Sequence, residues 1–90
     1  MSRALVMHPK DNVATVLEDV PPEQSVEIEG GEKPSMISAK EAIPFGHKIA
    51  LRKIRSNAKI LKYGEVIGTA TQEITTGSHV HVHNIKSTRG

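Results

Sequence analysis

A single all-β domain of short strands is the fold class this sequence predicts, on three observations. Proline and glycine recur at Pro9, Pro21, Pro22, Gly30, Gly31, Pro34, Pro44, Gly46, Gly64, Gly68 and Gly77, cutting the chain into pieces mostly too short for a stable helix. The pieces between these breaks are rich in β-branched residues, which suit a pleated, half-buried surface. Ninety residues leave room for one core and not for a second, so 1–90 is read as one domain.

Strands are expected in order over residues 3–7, 13–17, 26–28 and 36–38, each bounded by turn-forming residues. Between the third and fourth, "EGGEKPS" sets paired glycines and a proline among charges without apolar periodicity, and is read as a mobile loop. Four more strands follow over 48–54, 60–63, 66–69 and 79–85. "SAKEAI" and "ATQEI" have the length of one helical turn each, so at most one or two such turns are allowed for. The polar end "STRG" makes 86–90 a flexible tail. No internal repeat or low-complexity segment is evident.

Composition narrows the function classes. The chain is 37% hydrophobic with one Phe, one Tyr and no Trp, so a thin core of Val, Ile, Leu, Ala and Met is expected. The absence of cysteine removes disulfides and thiolate metal sites and fits a reducing compartment, hence a cytoplasmic location. The apolar stretch 4–7 is far short of a signal or membrane segment, so the protein is read as soluble, without a membrane partner. Twelve Lys and Arg against ten Asp and Glu give only +2, and "LRKIR" lacks interleaved aromatics; this argues against a nucleic-acid partner.

Three constellations carry chemistry. In "HVHVHN" the alternation has the period of a strand, placing His79, His81 and His83 on one face and Val80 and Val82 on the other. Same-face neighbours lie about 6.6 Å apart and the outer pair about 13 Å, whereas metal–nitrogen bonds are about 2.0–2.1 Å, so at most two of the three share one ion without a bend. The bland alternative is a solvated polar row. Like-charge repulsion favours neutral rings, the form that binds metal or acts as a base. In "IPFGHK", Pro44 and Gly46 shape a turn that presents His47 and Lys48; the alternative is an ordinary turn with Phe45 capping the core. In "LKYGEVIG", Gly64 allows a bend that sets Lys62 and Tyr63 around an anion; the alternative is a surface hairpin with Tyr63 packed on its stem.

Taken together and in order, "IPFGHKIAL", "KYGEVIGTATQEI" and "GSHVHVHN", with the opening "MHPKDNVATVLEDV", closely resemble the SAF-type domain of the altronate dehydratase and galactarate dehydratase family. The resemblance covers nearly the whole chain apart from the loop near Gly30 and the last residues. It implies a β-clip fold and a role as a separate small subunit, or the equivalent of an N-terminal domain, of a sugar-acid hydro-lyase, acting with a large dehydratase subunit. A sulfolactate sulfo-lyase small subunit and a non-catalytic sugar-acid-binding module are the alternatives. Two places depart from the family pattern: Pro22-Glu23 stands where a glycine-bearing turn is common, and Ser56-Asn57 where a Gly-Glu turn is common. Both put local loop geometry in question.

The implied chemistry is loss of water from an aldonic or aldaric acid to give a 2-keto-3-deoxy acid. Removing a proton next to a carboxylate needs a base and a neighbouring cation, and the departing hydroxide needs an acid or a metal. The resemblance therefore implies a divalent metal, with Fe2+ the expected ion and His79, His81 and His83 its candidate ligands, one or two of which face the site together with His47. His47, His81 and Tyr63 are the acid/base candidates, while Lys48, Lys62 and Asn84 contact the substrate. Such a set is incomplete without the large subunit, and the chain is expected to be inactive alone. Oligomeric state is left open, with an apolar sheet face or a strand edge available for a homo-oligomer.

Overall fold

In a computed structural model, which describes residues 1–31 and 35–87, the chain is all-β and without helix among the described residues. Nine short strands form it: β1 (Ser2–Leu5), β2 (Val13–Val16), β3 (Ser25–Glu29), β4 (Ser35–Ser38), β5 (Lys48–Ala50), β6 (Lys59–Lys62), β7 (Glu65–Ala70), β8 (His79–Val80) and β9 (Ile85–Ser87). One sheet runs β4-β3-β1-β2-β5-β8 and the other β6-β7-β9; β1 and β3 are parallel and every other pair is antiparallel. The two segments read as possible helical turns are bends that lead into Ile43 and Ile74. No helix of the described residues is long and apolar enough to cross a membrane.

The architecture rests on one local device used four times. Residues 17–26, 40–49, 51–60 and 71–80 each run from a bend to a buried aliphatic, through a tight turn, into a strand. The buried aliphatics are Val20, Ile43, Ile54 and Ile74, and six residues later Val26, Ile49, Ile60 and Val80, all at most 2% exposed. In each turn the third residue has positive φ: Glu23 (67°), Gly46 (83°), Asn57 (70°) and Gly77 (88°), as at the third position of a type II turn. The turn is closed by the next residue's N–H donating to a carbonyl three residues back, from Gln24 to Pro21, His47 to Pro44, Ala58 to Arg55 and Ser78 to Thr75. Each turn then exchanges a pair of backbone hydrogen bonds with one distant buried residue: Ala39, Val16, Ala70 and Ala50 in the same order. The repeat escapes the sequence reading because only two aliphatics six apart and a backbone angle recur.

The bridges Val20↔Ile43 and Ile54↔Ile74 join these devices in pairs, one pair to each half of the chain. Each half has its own core. Ala4, Val16, Val20, Val26, Ile43 and Ile49 pack in the first, and Ile54, Ile60, Ala70, Ile74 and Val80 in the second, with Val13 crossing to the latter. Burying a Val or Ile side chain contributes about 1.5–3 kcal/mol, so two small clusters hold the fold only jointly. The buried apolar residues are all Val, Ile or Ala. The expected Leu and Met contribution to the fully buried core is therefore corrected: Met1, Met7 and Met36 are exposed, and Leu51 only packs against the first cluster. Closely crossing short ribbons admit compact β-branched side chains and leave little space for longer ones.

Strand boundaries need two further corrections. The expected strand 48–54 stops at Ala50, because the third device begins at 51. The expected strand 79–85 is two strands, β8 and β9, in different sheets. Of the expected tail, Lys86 and Ser87 belong to β9, and 88–90 lie outside the described residues. Residues 32–34 of the loop "EGGEKPS" likewise lie outside them.

Candidate functional site

The second and fourth devices deliver the histidines. β5 and β8 emerge from them and pair antiparallel, with Lys48 opposite Val80 and Ile49 opposite His79. Carrying that register one step outward sets His47 against His81, and their rings stack with centroids 3.7 Å apart and planes 12° from parallel. His47 Nδ1 lies 2.8 Å from His79 Nε2, a hydrogen bond in which one ring donates and the other accepts. The site thus straddles the seam between the two halves of the molecule.

After Val80 the chain leaves the strand, and Asn84 holds the turn that follows. Its side-chain Oδ1 accepts from the His81 N–H, its Nδ2 donates to the His79 carbonyl, and its own N–H donates to the His81 carbonyl. Asn84 is 3% exposed. The substrate-contact role expected for it is corrected accordingly: its polar atoms are engaged with backbone, where they position the histidines. The same turn breaks the period-two geometry. Val82 is exposed, not turned to a core, and His83 is exposed and tilted 37° from the His79 ring at 5.0 Å.

The group able to hold a metal among the described residues is His47, His79 and His81, each offering a nitrogen within 4.8 Å of the others. Of the candidate ligands His79, His81 and His83, the first two are in this group with His47, and His83 is not. His47 enters because the two sheet strands meet there, and His83 leaves because the chain bends before it. Nitrogen is a suitable donor for a borderline divalent ion, and the Nδ1 of His81 is buried without a hydrogen-bond partner, so the donor set fits such an ion. Burial holds the His79 pKa below its usual value, with repulsion between its charged form and charge on His83, His47 or His81 lowering it further and Glu41 opposing this. Burial likewise lowers that of His81, with His47, Lys48 and His83 adding to it. Both rings therefore favour the neutral, ligating form.

Lys48 stands beside His81, and Lys62 stands near Lys48. Burial lowers the Lys48 pKa, and the Lys62 charge lowers it further. Neither lysine forms an ion pair among the described residues, where the pairs are Arg3–Glu29 and Lys53–Glu73. Lys62 Nζ lies 5.0 Å from the Tyr63 ring centroid. Tyr63 is itself at φ 57° and exposed, so it does not pack on the hairpin stem. Phe45 is also exposed and does not cap the core.

Two residues without an expected role hold this second bend in place. Asp11, 2% exposed, accepts the N–H of Tyr63 (2.9 Å) on one carboxylate oxygen and that of Gly64 (2.7 Å) on the other. Its carbonyl accepts from the Arg52 side chain. Asn12 spans β6, donating to the Lys59 carbonyl and accepting from the Leu61 N–H. A polar pair before a strand in "HPKDN" was the available signal, but its partners lie about fifty positions away. Glu41, which accepts the His79 N–H, is a third such residue. A cavity of about 260 Å3 beside His8, Asp11 and Arg52 contains none of the clustered histidines, which sit on an open face.

Residues 2–88 match the altronate/galactarate dehydratase SAF domain family. Altronate dehydratase of Bacillus subtilis is 40% identical over 87 residues, covering 97% of this chain and 17% of that enzyme. The (2R)-sulfolactate sulfo-lyase subunit alpha of Chromohalobacter salexigens is 36% identical over 93 residues, covering 99% of both chains. Galactarate dehydratase (L-threo-forming) of Escherichia coli is 39% identical over 75 residues, covering 82% of this chain and 13% of that enzyme. The chain thus spans about an eighth to a sixth of these dehydratases and nearly the whole of the sulfo-lyase alpha subunit.

Proposed function

Because this chain belongs to the altronate/galactarate dehydratase SAF domain family, we propose that it is the small-subunit component of a metal-dependent sugar-acid hydro-lyase, completed by a larger chain. The observation that carries this reading is the convergence of His47, His79 and His81 near Lys48 and Lys62, which form no ion pair among the described residues. In it, His47, His79 and His81 hold a divalent cation such as Fe2+, which when bound supplies Lewis acidity toward the substrate's oxygens. With those three rings on the ion, Tyr63 is the acid/base group left to take or return the proton next to the carboxylate. Lys48 and Lys62 attract the acid's carboxylate, and their charge opposes build-up of negative charge as that proton leaves. Tyr63, held by Asp11, presents a hydroxyl to the same region. The product of such a dehydration is a 2-keto-3-deoxy acid.

The end-to-end match to a sulfo-lyase subunit supports a second reading, in which the leaving group is sulfite and the acid is sulfolactate. The same residues serve it, since both reactions begin with a proton beside a carboxylate.

Cobalt(II) titration tests the metal set by its absorption bands. His47→Ala and His81→Ala are expected to weaken binding at least tenfold and His83→Ala to leave it within about twofold. Binding indifferent to His47 sinks this assignment. Assay on altronate, galactarate and sulfolactate, with and without the larger chain, then separates the two reactions; full turnover by the isolated chain contradicts the subunit reading.

A further inference from the structure

Phe45 and Val82 are large apolar side chains left 66% and 80% exposed, and they flank the same end of the β5–β8 ribbon. Beyond the stacked pair His47 and His81, the two chains diverge, Phe45 going with one and Val82 with the other. Phe45 is carried on a fixed frame: its N–H donates to Asp19 Oδ1 at 2.8 Å and the N–H of Gly46 donates to the Val16 carbonyl. A rigid aromatic at the edge of a polar cluster is the usual form of an interface anchor, because little conformational freedom is lost when it is covered. The cluster beside it is also electrostatically unfinished. Lys48 and Lys62 lack acidic partners among the described residues, and the buried Nδ1 of His81 has no hydrogen-bond partner.

We infer that the face formed by Phe45 and Val82 beside the histidines is the docking surface for the larger lyase chain, an apolar contact that closes over the cluster and leaves Lys48 and Lys62 facing the acid's carboxylate. This rests on the subunit reading above and adds to it the location and chemistry of the contact. The relatives give the occupant its size: in the Bacillus subtilis enzyme the matched segment is 17% of the chain, so the remainder is large enough to supply a full interface. Charge gives its character, since a chain that closes over the site leaves the two lysines, which form no ion pair among the described residues, to be met by the acid bound between the two chains.

The test uses the full-length tagged chain, expressed in its own cells with a photo-crosslinking benzoylphenylalanine at position 45, and separately at position 36. Met36 is the control, being 57% exposed on β4 at the opposite edge of the same sheet. Position 45 is expected to crosslink to a chain whose sequence matches the remainder of altronate dehydratase, and position 36 is not. Phe45→Asp with Val82→Asp is expected to weaken capture of that chain at least tenfold while Met36→Asp leaves it unchanged, with thermal melting confirming that all variants fold. Capture of the larger chain that is equally strong in the double variant, or crosslinked from position 36 alone, overturns the docking surface and leaves the subunit reading standing. Crosslinking from position 45 to a second copy of the chain also overturns it. If no such larger chain accompanies the wild type, both fall together.

Discussion

The four copies of the turn device differ in a way that separates fold from function. The first and third, at Val20 and Ile54, hold non-glycine residues at the left-handed position and bear no histidine. The second and fourth, at Ile43 and Ile74, hold Gly46 and Gly77 there and bring His47 and His79 together. Each bridge joins one plain turn to one site turn, so every half of the molecule supplies a structural copy and a functional one. The backbone frame is common to all four; the chemistry was added to two.

That comparison is most sharply broken at Gly77. A Cβ there would meet the Ser38 carbonyl oxygen at 2.2 Å, on top of the left-handed strain, whereas a Cβ at Gly46 would meet nothing within 4 Å. Gly77→Ala is expected to cost about 3 kcal/mol or more and Gly46→Ala about 1–2 kcal/mol, read from chemical denaturation. Equal effects would mean that the two site turns are not packed as described.

Next in size is Asn84→Ala, which leaves the His81 N–H and the His79 carbonyl without their partner and is expected to cost about 2–3 kcal/mol. It should also weaken cobalt binding although Asn84 is no ligand. Loss of stability with unchanged metal affinity would show that the turn does not aim the rings.

The plain turns offer the opposite sign. Glu23→Gly and Asn57→Gly relieve left-handed strain at φ 67° and 70° and are expected to stabilise by about 0.5–1 kcal/mol, Glu23 more than Asn57 because Asn tolerates that conformation better. A drop in melting temperature in both would remove the claim that these positions keep the geometry of the glycine turns. The same observation answers the question raised by the two departures from the family pattern, since Glu23 and Asn57 adopt the angle that glycine takes in the other copies.

The smallest expected effect is on pH dependence in metal-free protein. His79 and His81 have folded pKa values below the free-histidine value of 6.5, so between those lowered values and 6.5 the unfolded chain binds more protons. Stability is therefore undiminished above that window and decreases as pH falls through it. Replacing both by Gln should flatten the melting temperature against pH; an unchanged slope would assign the dependence to other groups.

Much of this was legible along the chain because it depends on neighbours in sequence. Frequent glycine and proline, β-branched segments and the absence of helical period indicate an all-β domain, and the ordered motifs around His47, Tyr63 and His79 indicate its family. Local pattern also exposes His47, Lys48, Lys62 and the C-terminal histidines as the residues with chemistry to offer. Tertiary structure decided which of them meet. The antiparallel register of β5 on β8 recruits His47 to the cluster, and the Asn84 turn removes His83 from it. Asp11, fifty-two positions from Tyr63, holds a bend whose need for a carboxylate appears nowhere near it in sequence. The physical reason is common to all three: strand register and buried hydrogen bonds are settled between segments, where the pairing that satisfies every buried backbone group is chosen by the whole fold.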